Sequence, residues 1–262
     1  MKRLLTFTCM VLFAQIGFAQ TTEAAATSFV LAKPNIIKFN LSAAGFGNYT
    51  MAYERVINRK QSVGLAIGFT PNQDLPFKSA LLDILGNEEQ AVTAINSTVF
   101  NTVNVTAEYR FYQEIKGAPV GVYAATFIRY TNMQHEGTYL FELSDGDHQP
   151  FITTTFNGIG IGEMVGVQWA LGKSMTIDWW ILGPYFGYLK GSSVGDDNRP
   201  VSDADKIKLE QDIEDVGNDI PGWNVDATVT DNPSTGLGAV DAQLKGLFYG
   251  ARFFGVCLGY RF

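Results

Sequence analysis

Residues 253–262 read FFGVCLGYRF, and this stretch decides the fold that we expect for the chain. Counting back from its end, every second residue is large and apolar: Phe262, Tyr260, Leu258, Val256 and Phe254. The positions between them hold Arg261, Gly259, Cys257, Gly255 and Phe253, which are mostly small or polar. Successive side chains of a strand point to opposite faces. The stretch therefore predicts a strand with one apolar face and one face of small or polar residues.

The final aromatic residue is more specific than the alternation, because a strand of a soluble sandwich alternates in the same way. The ending resembles the C-terminal signal by which the assembly machinery of the bacterial outer membrane recognises barrel proteins. On that resemblance we assign Phe262, Tyr260 and Leu258 as a barrel-assembly signal, with the barrel-assembly machinery as a partner. A membrane barrel also has an apolar outer face and a polar or small interior.

The first residues predict export. Lys2 and Arg3 precede an uncharged apolar run that ends at Gly17-Phe18-Ala19, the small-residue pattern of a signal peptidase site. The run is shorter than the roughly 20 residues of a membrane-spanning helix. We therefore expect a signal peptide over 1–19, cleavage between Ala19 and Gln20, a periplasmic segment over 20–32 and a barrel over 33–262.

Charge and cysteine content narrow the choice of class. Loss of Lys2 and Arg3 would take the net charge from -7 to about -9. An acidic chain without a basic cluster is a poor candidate for binding nucleic acid. Cys9 lies in the predicted signal peptide, so Cys257 would be alone and no internal disulfide is expected.

Seven further stretches alternate as the last one does, which makes eight, an even number as in single-chain bacterial barrels. They cover residues 37–43, 51–54, 63–69, 99–111, 120–129, 159–169 and 177–185. The connections after the third, fifth and seventh stretches are long, at 70–97, 131–152 and 191–244, and the others are short. Short turns at one end and long loops at the other are typical of these barrels.

Two of the long connections contain helical patterns. One begins with a cap at Ser202, places Leu209, Ile213 and Val216 on one face and ends at Gly217, and the other runs through residues 80–95. The expected fold is an eight-stranded antiparallel transmembrane β-barrel, a meander with short helices in its outer loops. A lipocalin-like barrel and an open eight-stranded sandwich are the alternatives.

Several strands resemble an uncharacterised Bacteroidota family of small outer-membrane barrels. The resemblance rests on residues 33–40, 47–55 and 108–112, and on Gly117-Ala118-Pro119 followed by Phe127-Ile128-Arg129-Tyr130. It implies a barrel similar to the OmpA-like transmembrane barrel. It implies no catalytic residues, because no activity is assigned to that family.

Parity along the strands places charged residues inside the barrel. The predicted lumen charge network consists of Lys38, Glu54, Glu108, Arg110, Asp178 and Arg261. The alternative is a wet lumen in which each charge is solvated separately. Parity also points Phe100, Tyr123, Phe127, Trp180 and Phe253 inward, which argues against an open pore. Glu163 would face lipid, unless a bulge near Gly162 turns it towards Arg129.

No catalytic, cofactor or metal site follows from the remaining motifs. Gly158, Gly160 and Gly162 recur with period two, which favours small interior residues over a phosphate-binding loop. His135 and His148 share one loop with Glu136, Ser144, Asp145 and Asp147, where a metal site or a lipid-hydrolase triad is the alternative to solvated loop residues, but no nucleophile motif accompanies them. The loop 191–244 is acidic without an EF-hand register, so weak contacts with divalent ions stay open.

These observations favour a protein of the bacterial outer membrane that acts as an anchor or interacts through its extracellular loops. The expected surroundings are outer-membrane lipid and lipopolysaccharide, and the sequence does not indicate an extracellular partner. A narrow transport channel and a lipid-modifying outer-membrane enzyme are the alternatives.

Overall fold

The computed structural model describes residues 32–74, 78–85, 89–113, 118–218 and 220–262. The predicted signal peptide 1–19, its cleavage site at Ala19 and Gln20, and residues 20–31 lie outside the described residues. The strands are β1 Asn35–Asn40, β2 Tyr49–Val56, β3 Gln61–Asp74, β4 Val99–Tyr112, β5 Gly121–Thr138, β6 Phe141–Leu143, β7 Gly146–His148, β8 Phe151–Leu171, β9 Met175–Asp196, β10 Trp223–Asp231 and β11 Gly238–Arg261. The helices are α1 Leu41–Gly45, α2 Lys78–Leu85, α3 Glu89–Ser97 and α4 Asp203–Asn218.

Eight of the strands form a closed antiparallel ring in the order β1-β2-β3-β4-β5-β8-β9-β11. The ring closes where β1 pairs with the last part of β11, with Phe39 opposite Leu258. These are the eight predicted stretches, so the predicted number, order and antiparallel direction of the strands are confirmed. The other part of β11 pairs with β10, which is an additional strand at one end of the ring.

Strands on one side of the ring are longer than their sequence pattern predicts. Strands β8, β9 and β11 have 21, 22 and 24 residues, and their ends extend well into the segments that the pattern assigned to loops. Those segments also contain β6, β7 and β10, none of which was predicted. The predicted helices at 202–217 and 80–95 are confirmed as α4, α2 and α3.

The first strand is shorter than predicted, because α1 begins where alternation was expected to continue to Ala43. The Asn40 side chain caps this helix by accepting a hydrogen bond from the Ala43 amide over 2.9 Å. The Ser42 hydroxyl donates to the Phe254 carbonyl over 2.8 Å and accepts from the Val256 amide over 2.9 Å. The helix thus supplies hydrogen bonds to an irregular part of β11.

That irregularity reverses which side chains point inward. The pairing of β9 with β11 skips Ile181 and Phe254, and Phe254 has a left-handed φ of 52°. One extra residue exchanges the two faces of a strand. Two expectations are therefore wrong: Phe253 is 61% exposed on the outer face, and Tyr185, which alternation along 177–185 puts on the outer face with Ile177 and Trp179, points into the ring against Phe127.

The interior of the ring is filled by aromatic side chains that pack over glycines. Tyr185 lies between Phe127 and Phe248, with ring centroids 5.8 Å from each. A Cβ atom on Gly250 would lie 2.4 Å from the Tyr185 ring. Gly158, Gly160 and Gly162 face Phe248, Tyr185 and Phe127 in the same way, which confirms that they are small interior residues. The predicted inward positions of Tyr123, Phe127 and Trp180 are also confirmed.

One end of the ring is covered by a cap, meaning the β6–β7 hairpin, α4 and β10. Ser202 begins α4 by accepting a hydrogen bond from the Asp205 amide over 3.2 Å, as predicted. Leu209 of α4 is buried against Val229 of β10 and Val240 of β11. No helix in the described part of the chain is both long enough and apolar enough to cross a membrane.

Candidate functional site

The ring holds ionised side chains at the end remote from the cap. We call Lys38, Glu54, Glu108, Arg110 and Asp178 the buried charge cluster; none of them is more than 7% exposed. They come from β1, β2, β4 and β9, and parity within each strand turns them inward. Five of the six residues of the predicted network are therefore brought together.

Arg110 and Lys38 are the central cations of the cluster. The Arg110 guanidinium contacts Glu108 through Nε at 2.7 Å and Asp178 Oδ2 through Nη1 at 2.7 Å, and lies 3.5 Å from Glu54. The Lys38 ammonium contacts Glu54 and lies 2.6 Å from Asp178 Oδ2. Each carboxylate thus meets at least one cation, which offsets the large cost of burying it.

Neutral groups supply further hydrogen bonds to the same carboxylates. Glu54 Oε1 accepts from the hydroxyls of Ser62 at 2.5 Å and Tyr112 at 2.7 Å. Asp178 accepts from the Tyr123 hydroxyl at 2.7 Å and from the Trp180 indole at 3.2 Å. These groups were not predicted as members, although Tyr123 and Trp180 were placed inside. The signal available in the sequence was that these residues occupy inward positions of strands close to an inward charged residue.

Two arginines correct the predicted membership. No ion pair joins Arg261 to the cluster, and the buried Nε of Arg261 has no hydrogen-bond partner. Arg252 takes part instead: its guanidinium lies 3.4 Å from Glu108 and over the ring of Trp180 at 4.2 Å. The sequence pattern did not reveal Arg252, because regular alternation from Phe262 puts it on the outer face, whereas the extra residue Phe254 exchanges the two faces of β11 and turns Arg252 inward.

Glu163 lies on the outer face of the ring, not against Arg129. It is paired with Thr126, whose hydroxyl donates to it over 2.8 Å. The register shift between β8 and β9 falls at Val165 and Gly166, where the extra residue is Ile181 of β9, so it does not turn Glu163 inward. Arg129 donates to the Thr106 hydroxyl instead, over 3.2 Å.

The outer face of the ring carries an apolar band with a polar row above it. Large apolar side chains are exposed on every strand of the ring, among them Ile37, Met51, Leu65, Ile67, Val105, Ile128, Ile159, Ile161, Leu182, Phe186, Leu247 and Leu258. Towards the cap, Tyr130, Ile159, Tyr188 and Leu247 form one row of neighbours across four strands. Two residues further towards the cap in the same strands, the outer face carries a row of polar residues: Asn132, Asn157, Lys190 and Lys245. The boundary is therefore sharp on this side.

A second group of charges attaches the hairpin of the cap. We call His148, Asp145 and Asp197 the histidine bridge: His148 Nδ1 lies 2.6 Å from Asp197 and Nε2 lies 2.7 Å from Asp145. Both contacts require an N–H donor, so the geometry calls for the imidazolium form. Burial disfavours that form, but the hydrogen bonds to Asp145 and Asp197 outweigh it and raise the pKa of His148.

The loop residues considered for catalysis are not arranged as a triad. Ser144 donates to Asp205 over 2.5 Å and not to a histidine, and both nitrogens of His148 are engaged by carboxylates. His135 lies elsewhere, 3.3 Å from the Thr98 hydroxyl and with its ring tilted against that of Phe100 at 5.1 Å. Among the described residues, no group of three His, Cys, Asp or Glu side chains is placed to hold a metal ion.

The fold defines a class: an all-β protein built on a closed ring of eight antiparallel strands, with a packed and charged interior. In comparisons with protein-family models, curated proteins and solved structures, no match to the chain was found. The resemblance to a family of small outer-membrane barrels therefore stays a prediction.

Proposed function

We propose that the chain is a bacterial outer-membrane protein whose ring of strands is a transmembrane β-barrel that anchors the cap on the cell surface. The apolar band on the outer face is the observation that carries this proposal. In β8 the band runs from Ile159 to Trp169, 11 residues with Glu163 as the one charged residue on the outer face, and about 9–11 residues are needed for a tilted strand to cross a bilayer. Exposed apolar area on this scale is otherwise rare in soluble monomers.

The interior supports anchoring over transport. The buried charge cluster, the buried residues packed around it and the aromatic side chains of Phe127, Tyr185 and Phe248 occupy the interior of the ring below the cap. An eight-stranded barrel is just wide enough for side chains to fill it. The proposed surroundings are lipid and lipopolysaccharide outside the ring and the barrel-assembly machinery during insertion, with Phe262 as its signal.

A matched pair of arginine substitutions tests whether the band faces lipid. Ile67 of β3 is 53% exposed within the band, between Met51 and Val105 of the adjacent strands, and Val194 is 53% exposed beyond the polar row. In lipid bilayers, Ile67→Arg should lower the free energy of unfolding by about 2–4 kcal/mol, since charge is costly at the membrane midplane. Val194→Arg should change it by less than about 0.5 kcal/mol, as surface substitutions usually do. Equal, small effects of both changes would mean that Ile67 faces water.

Cysteine labelling on whole cells tests the orientation. Cys257 is buried, so it gives little background with a membrane-impermeant maleimide. A cysteine at Ser234, exposed near the cap, should be labelled in intact cells. A cysteine at Lys173, exposed in the turn at the other end, should be labelled only after the outer membrane is permeabilised. The reverse pattern would invert the proposed topology.

A further inference from the structure

A cavity of about 820 Å³ lies between the ring and its cap. Its walls come from inward residues of β5, β8, β9 and β11, and its cover comes from the β6–β7 hairpin, α4 and the beginning of β10. Cavities that bind small molecules usually measure about 300–1,000 Å³. The buried charge cluster lies at the other end of the ring, so this cavity is a separate feature.

The deep part of the cavity is apolar. Ile152, Val225, Val240 and Ala242 line it, and each is at most 8% exposed. Phe156 and Trp223 add aromatic surface, with their rings edge to face at 6.4 Å. The Trp223 indole donates to the Leu247 carbonyl over 2.8 Å, which fixes the orientation of this ring. An apolar wall of this kind favours an apolar ligand body.

A few polar groups converge on the same space. The hydroxyls of Thr154 and Ser193 lie 2.8 Å apart in the wall, and His135 lines the cavity beside them. Lys208, Asp212 and Glu142 line its outer part and are exposed to solvent. The apolar depth and the polar rim together match a ligand with an apolar body and a small polar portion.

The cover of the cavity is rich in acidic residues. Helix α4 has two lysines but six acidic residues: Asp203, Asp205, Glu210, Asp212, Glu214 and Asp215. The covering hairpin adds Glu142, Asp145 and Asp147 without a lysine or arginine. Clustered charge of one sign raises the local concentration of the opposite charge and repels its own.

We infer that this cavity binds an apolar small molecule that bears no negative charge. The apolar wall supplies the affinity, the Thr154 and Ser193 hydroxyls fix a polar group, and the acidic cover excludes anionic analogues. This activity goes beyond surface anchoring and does not depend on it, because the residues that line the cavity all belong to the described part of one chain.

Two fluorescent probes test the inference on the purified, refolded full chain. N-phenyl-1-naphthylamine is uncharged, and 8-anilino-1-naphthalenesulfonate has the same two aromatic parts with a sulfonate. The uncharged probe should bind saturably and quench Trp223 by energy transfer. The sulfonate should bind at least roughly tenfold more weakly, which corresponds to ~1.4 kcal/mol. Equal affinities would overturn the selection against anions.

Substitutions locate the bound probe. Ala242→Phe places a ring in the cavity, while Gln243→Phe adds the same ring on the outer face of the same strand. The first should weaken binding at least roughly tenfold and the second should leave it unchanged. Leu244→Trp, which also fills the cavity, replaces Ala242→Phe if that variant does not fold. In Trp223→Phe, energy transfer to the probe should fall. Unaltered binding in the filled variants, or unaltered transfer without Trp223, would place the probe elsewhere.

Discussion

Carboxylates are held against cations at both ends of the molecule, but the two ends use different cations at different depths. The buried charge cluster uses Arg110 and Lys38 inside the ring, where all members are almost fully enclosed. The histidine bridge uses His148 at the cap, where the Asp145 side chain is 55% exposed. Arginine stays charged at every pH that proteins tolerate, whereas histidine titrates near neutrality. The first group is therefore a permanent part of the fold, and the second depends on pH.

Removal of one cluster cation should have the largest effect. Arg110→Met leaves Glu108 and Asp178 without their central partner, and an uncompensated buried charge typically costs ~3–5 kcal/mol. We expect a loss of that size in the free energy of unfolding, measured by denaturant titration of the refolded protein. Arg55→Met removes an exposed arginine from β2 and should cost less than about 0.5 kcal/mol. A small loss at Arg110 would indicate that water solvates the cluster.

Double-mutant cycles should then show which charges act together. Glu108 contacts Arg110 directly, while Lys38 contacts Glu54 and Asp178. Glu108→Gln with Arg110→Met should deviate from additivity by about 0.5–3 kcal/mol, the range for residues in contact. Glu108→Gln with Lys38→Met should be closer to additive. The opposite ranking of the two cycles would contradict the pairing seen in the structure.

The sequence predicted the ring well, because in a regular strand the odd-numbered residues point to one face and the even-numbered residues to the other. Five of the six predicted network residues follow from that relation alone. The prediction failed where one extra residue interrupts the alternation of a strand. Beyond Phe254 in β11, Arg252 points inward and Phe253 outward, and beyond Ile181 in β9, Tyr185 points inward, each opposite to the prediction. No local pattern marks these interruptions, since both are large apolar residues in apolar surroundings.

The cap was less predictable for a different reason. Its helices have capping and periodicity that a sequence shows, so α4 was expected from Ser202 onward. The partners of the hairpin are distant in sequence: His148 meets Asp197 across 49 residues, and Ser144 meets Asp205 across 61. Such contacts depend on which strand ends lie next to each other in the ring. Alternation along one strand predicts only the face to which a side chain points, so it does not predict these contacts.

The smallest effect we expect is a pH-dependent loosening of the hairpin. The raised pKa of His148 means that its contribution to stability is complete below the pKa of an unfolded histidine and is lost as pH rises through the folded value. The pKa of Asp145 is lowered by its hydrogen bond to His148, so its contribution is lost only as pH falls through that lowered value. Attachment should therefore be strongest in mildly acidic solution and weaken towards alkaline pH.

Hydrogen exchange of the amides in residues 139–149, corrected for the intrinsic effect of pH, measures this loosening. Protection should decrease severalfold between mildly acidic and mildly alkaline solution while the ring strands keep theirs. The chain has two histidines, which form a matched pair of controls. His148→Gln should abolish the dependence, because an amide has donors on one atom only and cannot donate to carboxylates on opposite sides. His135→Gln should preserve it, since His135 contacts neither Asp145 nor Asp197. Retained pH dependence in His148→Gln would show that another group controls the hairpin.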